Sequence, residues 1–357
     1  MSNASLREIP LWRMRNQYLD GPSAESPTEV VRRLGAVQAQ DYYGSLWAIG
    51  QRTVDPNKAA IEAAIAARQI VRSWPMRGTL HFVAGQDLRW MLRLLAPRIL
   101  QQHAARIQRD LELDATSMAA ARKVVVRELE QERVMTRPAL YQALENAGIY
   151  AGGSRGIHIF WSLAQEGVIC MGAHSQRQPT VTLLDDWLPP SRMLEGDEAL
   201  AELALRYFTG HGPATIQDLT WWSGLAAAQA RQALELVKRQ LEPLVVGERM
   251  YWHAGFNDTT VIRARIRIDL LPAYDEFTVG YADRSPIMST LGPNVGRGRV
   301  IFHPVVTRNG QVIANWQRFD RKGEVELVIK NFAGAPAPGR RALDAVIRRY
   351  GDFLGTL

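Results

Sequence analysis

VRSWPMRGTLHFV, residues 71–83, alternates side chains and is rich in β-branched and aromatic residues. It therefore predicts two short strands joined by a turn at residues 75–78, where Pro75 and Gly78 sit. Just upstream, residues 57–68 (NKAAIEAAIAAR) carry apolar side chains at helical spacing. Residues 6–20 do the same and are stopped by Gly21-Pro22. Between these, Ser26-Pro27-Thr28 opens a further helix, with Glu29 in its first turn and Val30, Val31, Leu34 and Val37 as its apolar face. Helices followed by a small β-ribbon are the outline of a winged helix.

The outline recurs along the chain. Residues 87–110 and 116–132 are strongly helical. TRPALYQALENAG, residues 136–148, has Thr136 as a cap, Pro138 early and Gly148 as its stop. Residues 154–167 predict a following helix and residues 168–184 a two-stranded wing. A third copy starts at Asp197, runs through ATIQDLTWWSGL and AAAQARQALELVKRQ, and ends in a strand pair around LVVGERMYWH that turns at Gly247. Such spacing is a degenerate internal repeat, and Pro189-Pro190-Ser191 reads as a linker. Residues 262–332 differ. They hold strand-like runs, with Asn309-Gly310 as the strongest hairpin turn of the chain. GRRALDAVIRRYGDFLG then adds an amphipathic helix. The predicted fold class is α+β: winged-helix units over residues 6–85, 86–188 and 189–261, then a β-barrel with a C-terminal helix over residues 262–357.

The chain has 357 residues, 46% hydrophobic and 22% charged, the balance of a folded protein of two or three domains. A mainly disordered chain, a coiled coil and a collagen are excluded. No stretch is long and apolar enough for a transmembrane helix, and the N-terminus lacks the apolar run of a signal peptide, so a cytoplasmic protein without membrane contact is expected. Cys170 is the only cysteine, so no internal disulfide or cysteine-type metal site can form. The 7 histidines lack the close spacing of a helical metal site, and neither metal nor cofactor is expected. The net charge is +7, distributed as +6 over residues 1–110, −5 over 111–261 and +6 over 262–357. A basic–acidic–basic chain suggests two ends that share a polyanion, and arginine, with a fork suited to phosphate and base edges, supplies 38 of the 43 positive charges.

GAVQAQDYYGS, residues 35–45, is the candidate for chemistry. On an extended strand Gln38 and Gln40 share a face, and two amides can hold one water through donor and acceptor groups. Asp41 could add charge, but alternation turns it to the opposite face, so it ranks below the glutamines. The 71–83 segment offers Trp74, Arg77 and His81. LLPAYDEFTVGYADR, residues 270–284, offers Arg284 for a phosphate, while Asp275 and Glu276 read as a buried turn with Asp275 capping backbone amides. GPNVGRGR, residues 292–299, is a flexible basic loop carrying Arg297 and Arg299. Residues 152–156 formally match G-x-S-x-G, but a helix precedes them instead of the strand a nucleophile elbow needs. That segment reads as the start of a helix where Arg155 and backbone amides hold a phosphate. Trp221-Trp222 reads as core.

In their order and combination, VVRRLGAVQAQD (residues 30–41), SWPMRGTLHFV (residues 73–83), LLPAYDEFTVGYADR and the triple repeat resemble the AlkZ/YcaQ (AlkX) family of bacterial winged-helix DNA glycosylases. The resemblance runs from about residue 6 to the C-terminus. It implies three tandem winged helices and a C-terminal β-barrel forming a C-shaped clamp, and a partner that is double-stranded DNA with alkylated or crosslinked purines. It also implies a catalytic Gln-aliphatic-Gln signature. Gln38-Ala39-Gln40 is the AlkZ-like form of it, with a smaller middle residue than usual. DNA contacts fall to Arg77, His81, Arg155, Arg284, Arg297 and Arg299, and the enzyme is expected to be a monomer. The implied reaction is hydrolysis of the N-glycosidic bond of bulky or crosslinked N7-alkylguanine. Such a base is already cationic and leaves without a strong general acid. A lyase step would need an amine nucleophile, and none of the 5 lysines lies in the signature, so a monofunctional enzyme leaving an abasic site is expected. The alternative is a non-catalytic winged-helix DNA-binding transcription regulator. The acidic middle segment and a superfluous barrel speak against it.

Overall fold

The computed structural model describes residues 6–20, 23–175, 178–255, 266–289, 291, 302–321 and 324–355. The chain forms two compact units, one made of Met1–Ile61 with Leu200–Leu357 and the other of Glu62–Ala199.

In the Glu62–Ala199 unit, strand Ile70–Met76 pairs antiparallel with Thr79–Ala84. The register runs from Ile70↔Ala84 to Ser73↔His81 and shifts before Met76↔Thr79. Pro75 falls in that shift. Proline has no N–H for a ladder, and an irregularity is where a strand accepts it. The turn falls at Arg77-Gly78, inside the expected 75–78 span, and their φ values of 55° and 70° suit a two-residue hairpin loop. The hairpin does not stand alone. It shares one sheet with Ile169–Met171, Thr180–Leu183 and Val134–Thr136, joined through Arg72↔Met171. The long helix Leu88–Leu111 tolerates Pro97 in its interior, and Ala115–Glu132 is capped by Asp114, which accepts from the Ser117 N–H at 2.7 Å. Thr136 caps Arg137–Asn146 as the sequence predicts. Trp161 of helix Arg155–Gln165 donates to the Gly78 carbonyl at 3.0 Å, fixing the hairpin tip on the helices.

The other unit brings the two ends of the chain together. Helix Pro27–Leu34 begins at Ser26, which accepts from the Glu29 N–H at 3.2 Å. Helix Tyr42–Gly50 follows. After helix Gly196–His211 come Ile216–Ser223, with a reciprocal Thr215–Asp218 cap, then Ala227–Val237 and the hairpin Glu242–Val246 with Arg249–His253. The C-terminal sheet is antiparallel, in the order Glu324–Asn331, Gln311–Arg321, Val305–Arg308, Ile268–Leu271. Asn309-Gly310 forms its expected turn, with φ values of 50° and 73°. Its edge strands, Glu324–Asn331 and Ile268–Leu271, do not pair with each other, so among the described residues the sheet is open where a barrel would close. Met14 and Leu19 pack with Leu271, Phe277, Val305 and Val312, all buried, and each such side chain contributes about 1.5–3 kcal/mol. Helix Arg340–Leu354 seals the unit by setting Tyr350 and Phe353 against Trp47, with ring centroids at 4.9 and 5.2 Å. Among the described residues no helix is long and apolar enough to cross a membrane.

Candidate active site

The Gln38–Gln40 segment is shaped at both ends by what its residues can adopt. Helix Pro27–Leu34 stops at Gly35, which has φ 73°, and a Cβ there would meet the Trp222 ring at 3.3 Å. Glycine answers both demands. The two-residue strand Val37–Gln38 follows. Burial then alternates: Val37 and Ala39 are sealed, Gln38 is half-buried and Gln40 is exposed. The strand ends at Gln38 and Gln40 lies in the bend that follows, so both amides keep access to solvent while Ala39 fills a closed space. A small middle residue suits that space. Asp41 then caps helix Tyr42–Gly50, its carboxylate accepting from the Gly44 N–H at 3.1 Å. Its position at the helix N-terminus explains an acidic residue there without a catalytic role.

Two consecutive acidic residues far along the chain reach this segment and the helix after it. Asp275 precedes the short helix Glu276–Val279 and accepts from the Phe277 N–H at 2.9 Å, the cap expected from sequence. The same carboxylate takes two bonds from Arg52, at 2.7 and 2.9 Å, with both side chains fully buried. Arg52 lies just beyond the end of helix Tyr42–Gly50, and its other donors go to the Ala48 and Gln17 carbonyls at 2.7 and 3.0 Å. Glu276 reaches the other side of the segment. Its Oε1 accepts the backbone N–H of Gln38 at 3.0 Å, across 238 residues of sequence. Its Oε2 accepts from Trp222 Nε1 at 3.0 Å and from His211 Nε2 at 3.3 Å. Both Glu276 and His211 are buried. Burial holds the His211 pKa below its ordinary value, against the opposing pull of Glu276. The imidazole is then neutral and donates through Nε2, and its Nδ1 has no hydrogen-bond partner among the described residues. The tryptophans split: Trp222 is core, whereas Trp221 is partly exposed and donates to the Val279 carbonyl at 2.8 Å.

Arg77 sits at the hairpin turn and donates through Nη2 to His81 Nε2 at 3.2 Å. His81 is fully buried and donates through Nδ1 to the Thr79 carbonyl at 2.8 Å, so it orients Arg77 from within the protein. Trp74 is buried, as a core residue would be. Arg155 bonds the Leu111 carbonyl and, at 3.0 Å, the Glu112 carbonyl, where a cation complements the C-terminal end of helix Leu88–Leu111. Arg284 donates to the Thr278 carbonyl at 2.9 Å and lies over the Trp221 ring at 5.0 Å. Arg155 and Arg284 thus brace local backbone. Arg297 and Arg299 lie outside the described residues. Glu276 is the functional candidate that sequence reading passed over. Its one signal was a second acidic residue directly after a helix cap, at the end of an apolar strand.

The chain is similar to known proteins. A curated relative from Streptomyces sahachiroi, described as an interstrand DNA cross-link repair glycosylase, is 26% identical over 92% of this chain and 91% of its own length. The solved structure of the Streptomyces sahachiroi DNA glycosylase AlkZ has the same fold, with a TM-score of 0.75, 23% identity, and 99% of this chain and 98% of that one covered. Residues 31–353 match the family described as DNA glycosylase AlkZ-like, which spans the Gln38–Gln40 segment, Glu276 and the C-terminal helix, and the chain belongs to that family of DNA glycosylases.

Proposed function

We propose that this enzyme is a monofunctional glycosylase that hydrolyses the N-glycosidic bond of N7-alkylated purines in duplex DNA, crosslinked ones included, and leaves an abasic site. The observation that carries the reading is the pair of amides, Gln38 at the end of a short strand and Gln40 in the bend after it, both open to solvent on either side of the buried Ala39. An N7-alkylpurine is a good leaving group because it departs neutral. What the enzyme must add is a water held at C1′ and relief of the positive charge that develops on the sugar. Two neutral amides can align that water, each offering a donor and an acceptor. The name of the relative, a cross-link repair glycosylase, supports a substrate tied to both strands. A guanine bonded to the opposite strand cannot swing fully out of the duplex, so the cleft must work without complete base flipping. We read the hairpins as wings of three winged-helix units and the C-terminal sheet as part of a barrel, together clamping the duplex as a monomer. Arg77, oriented by His81, and Arg297 and Arg299 contact the phosphates, while Arg155 braces the backbone at Leu111 and Glu112 and Arg284 braces it at Thr278.

The test uses duplex DNA carrying N7-methylguanine or a nitrogen-mustard crosslink, followed by hot alkali. Strand breakage is expected with the wild type, reduced about 10²-fold in each of Gln38→Ala and Gln40→Ala, with no borohydride-trapped adduct. Full activity in both variants, or a trapped adduct, would overturn the reading.

A further inference from the structure

Glu276 is an expensive residue to bury. Removing a carboxylate from water costs several kcal/mol unless donors replace the lost hydration. Three donors converge on it: the Gln38 N–H at 3.0 Å, Trp222 Nε1 at 3.0 Å and His211 Nε2 at 3.3 Å. The two oxygens serve different clients. Oε2 faces the aromatic core, where Tyr207 stacks on His211 at 4.9 Å and the Trp222 ring lies 4.9 Å from Tyr207. Oε1 faces the backbone of Gln38. The carboxylate therefore ties a rigid aromatic cluster to a strand only 2 residues long. So short a strand gains little geometry from its own ladder. The preceding residue, Asp275, locks the far end of the adjoining helix through Arg52. Glu276 thus holds the glutamine segment directly, while Asp275 fixes the far end of the helix that follows that segment.

We propose that Glu276 is a positioning residue of the glycosylase reaction, fixing the Gln38 backbone so that the two amides meet the attacking water in one geometry. This rests on the reading of Gln38 and Gln40 as the water-holding pair. Trp222 acts behind it, by fixing which way the carboxylate points. The chemistry of an amide makes the idea testable. In Glu276→Gln one side-chain oxygen must choose between two donors, the Gln38 N–H and the Trp222 N–H, and the amide nitrogen then opposes the other. In the double variant Glu276→Gln/Trp222→Phe that conflict is gone. The oxygen can return to Gln38 and the nitrogen can donate to His211 after a tautomer change.

The experiment measures single-turnover base release and, separately, the dissociation constant for the same N7-methylguanine duplex. Only protein shown folded by circular dichroism and thermal melting is used. Glu276→Gln is expected to slow release by up to about 10²-fold with the dissociation constant unchanged, and the double variant is expected to recover most of the rate. A purely structural role would lower the melting temperature and leave the rate per folded molecule intact, and that result overturns the proposal. So does a double variant as slow as the single one. Gln38→Ala and Gln40→Ala run alongside: if they release base normally, the reading of the pair has failed; if they are slow while Glu276→Gln is not, the positioning role alone has failed.

Discussion

Arg52 and Asp275 meet through two bonds with neither side chain reaching water. Dehydrating two charges offsets most of what their attraction returns, so the pair specifies geometry more than it adds net stability. Breaking it is another matter, since a lone buried guanidinium has no replacement for the carboxylate. Asp275→Ala is expected to lower the unfolding free energy by about 3–5 kcal/mol, measured by urea denaturation; a loss below about 1 kcal/mol would mean that water or another acceptor takes over. At this scale the sequence was legible wherever a residue acts on its neighbours. Asp275 read as a cap because the donor it serves is two positions on. Gln38 and Gln40 read as a pair because an extended chain has a period of two. The Arg52 partner of Asp275 and the Gln38 partner of Glu276 lie 223 and 238 positions away, and no local period encodes a contact made only when distant segments pack.

Among the elements, helix Tyr42–Gly50 carries the glutamine segment at its N-terminus and Arg52 just past its C-terminus, so its first turn matters to both. Asp41→Ala is expected to cost about 1 kcal/mol of stability, and Asp41→Asn, which can still accept from the Gly44 N–H, to restore it. Base release per folded molecule should be equal in Asp41→Asn and wild type; a slow but stable Asp41→Asn would give the charge a catalytic part after all. Turn chemistry decided how well the hairpins could be read. Asn309-Gly310 has both residues in the left-handed region, which that dipeptide adopts readily. At the first hairpin the same geometry falls on Arg77-Gly78, the second half of the expected 75–78 span, with Pro75 in the strand before it. A register shift that accommodates proline inside a strand leaves no mark on the sequence. The long helix Leu88–Leu111 was legible through its apolar spacing despite Pro97.

At the scale of the whole molecule, burial holds the pKa of His211 and His253 below the ordinary histidine value of 6.5. His253 accepts from the Gly255 N–H through Nδ1 at 3.1 Å, a bond only an unprotonated nitrogen can make. Below pH 6.5 the unfolded chain binds protons that the folded chain refuses. The contribution of these histidines is therefore complete above that value and is lost as pH falls through their folded values. The melting temperature is expected to drop between about pH 7 and about pH 5.5, and a midpoint flat across that range would show that the burial is relieved some other way. The division of the chain has a consequence of a different kind. Residues Glu62–Ala199 form one unit while the segments on either side of them form the other. A ribosome releases Gln38 and Gln40 early, then the whole of the intervening unit, and only much later Glu276. Until then the glutamines have no carboxylate behind them. A copy whose translation stalls between Ala199 and Glu276 can fold the unit it has finished, yet it lacks the brace for the glutamine strand, so on the proposed reading competence to remove bases arrives with the last third of the message.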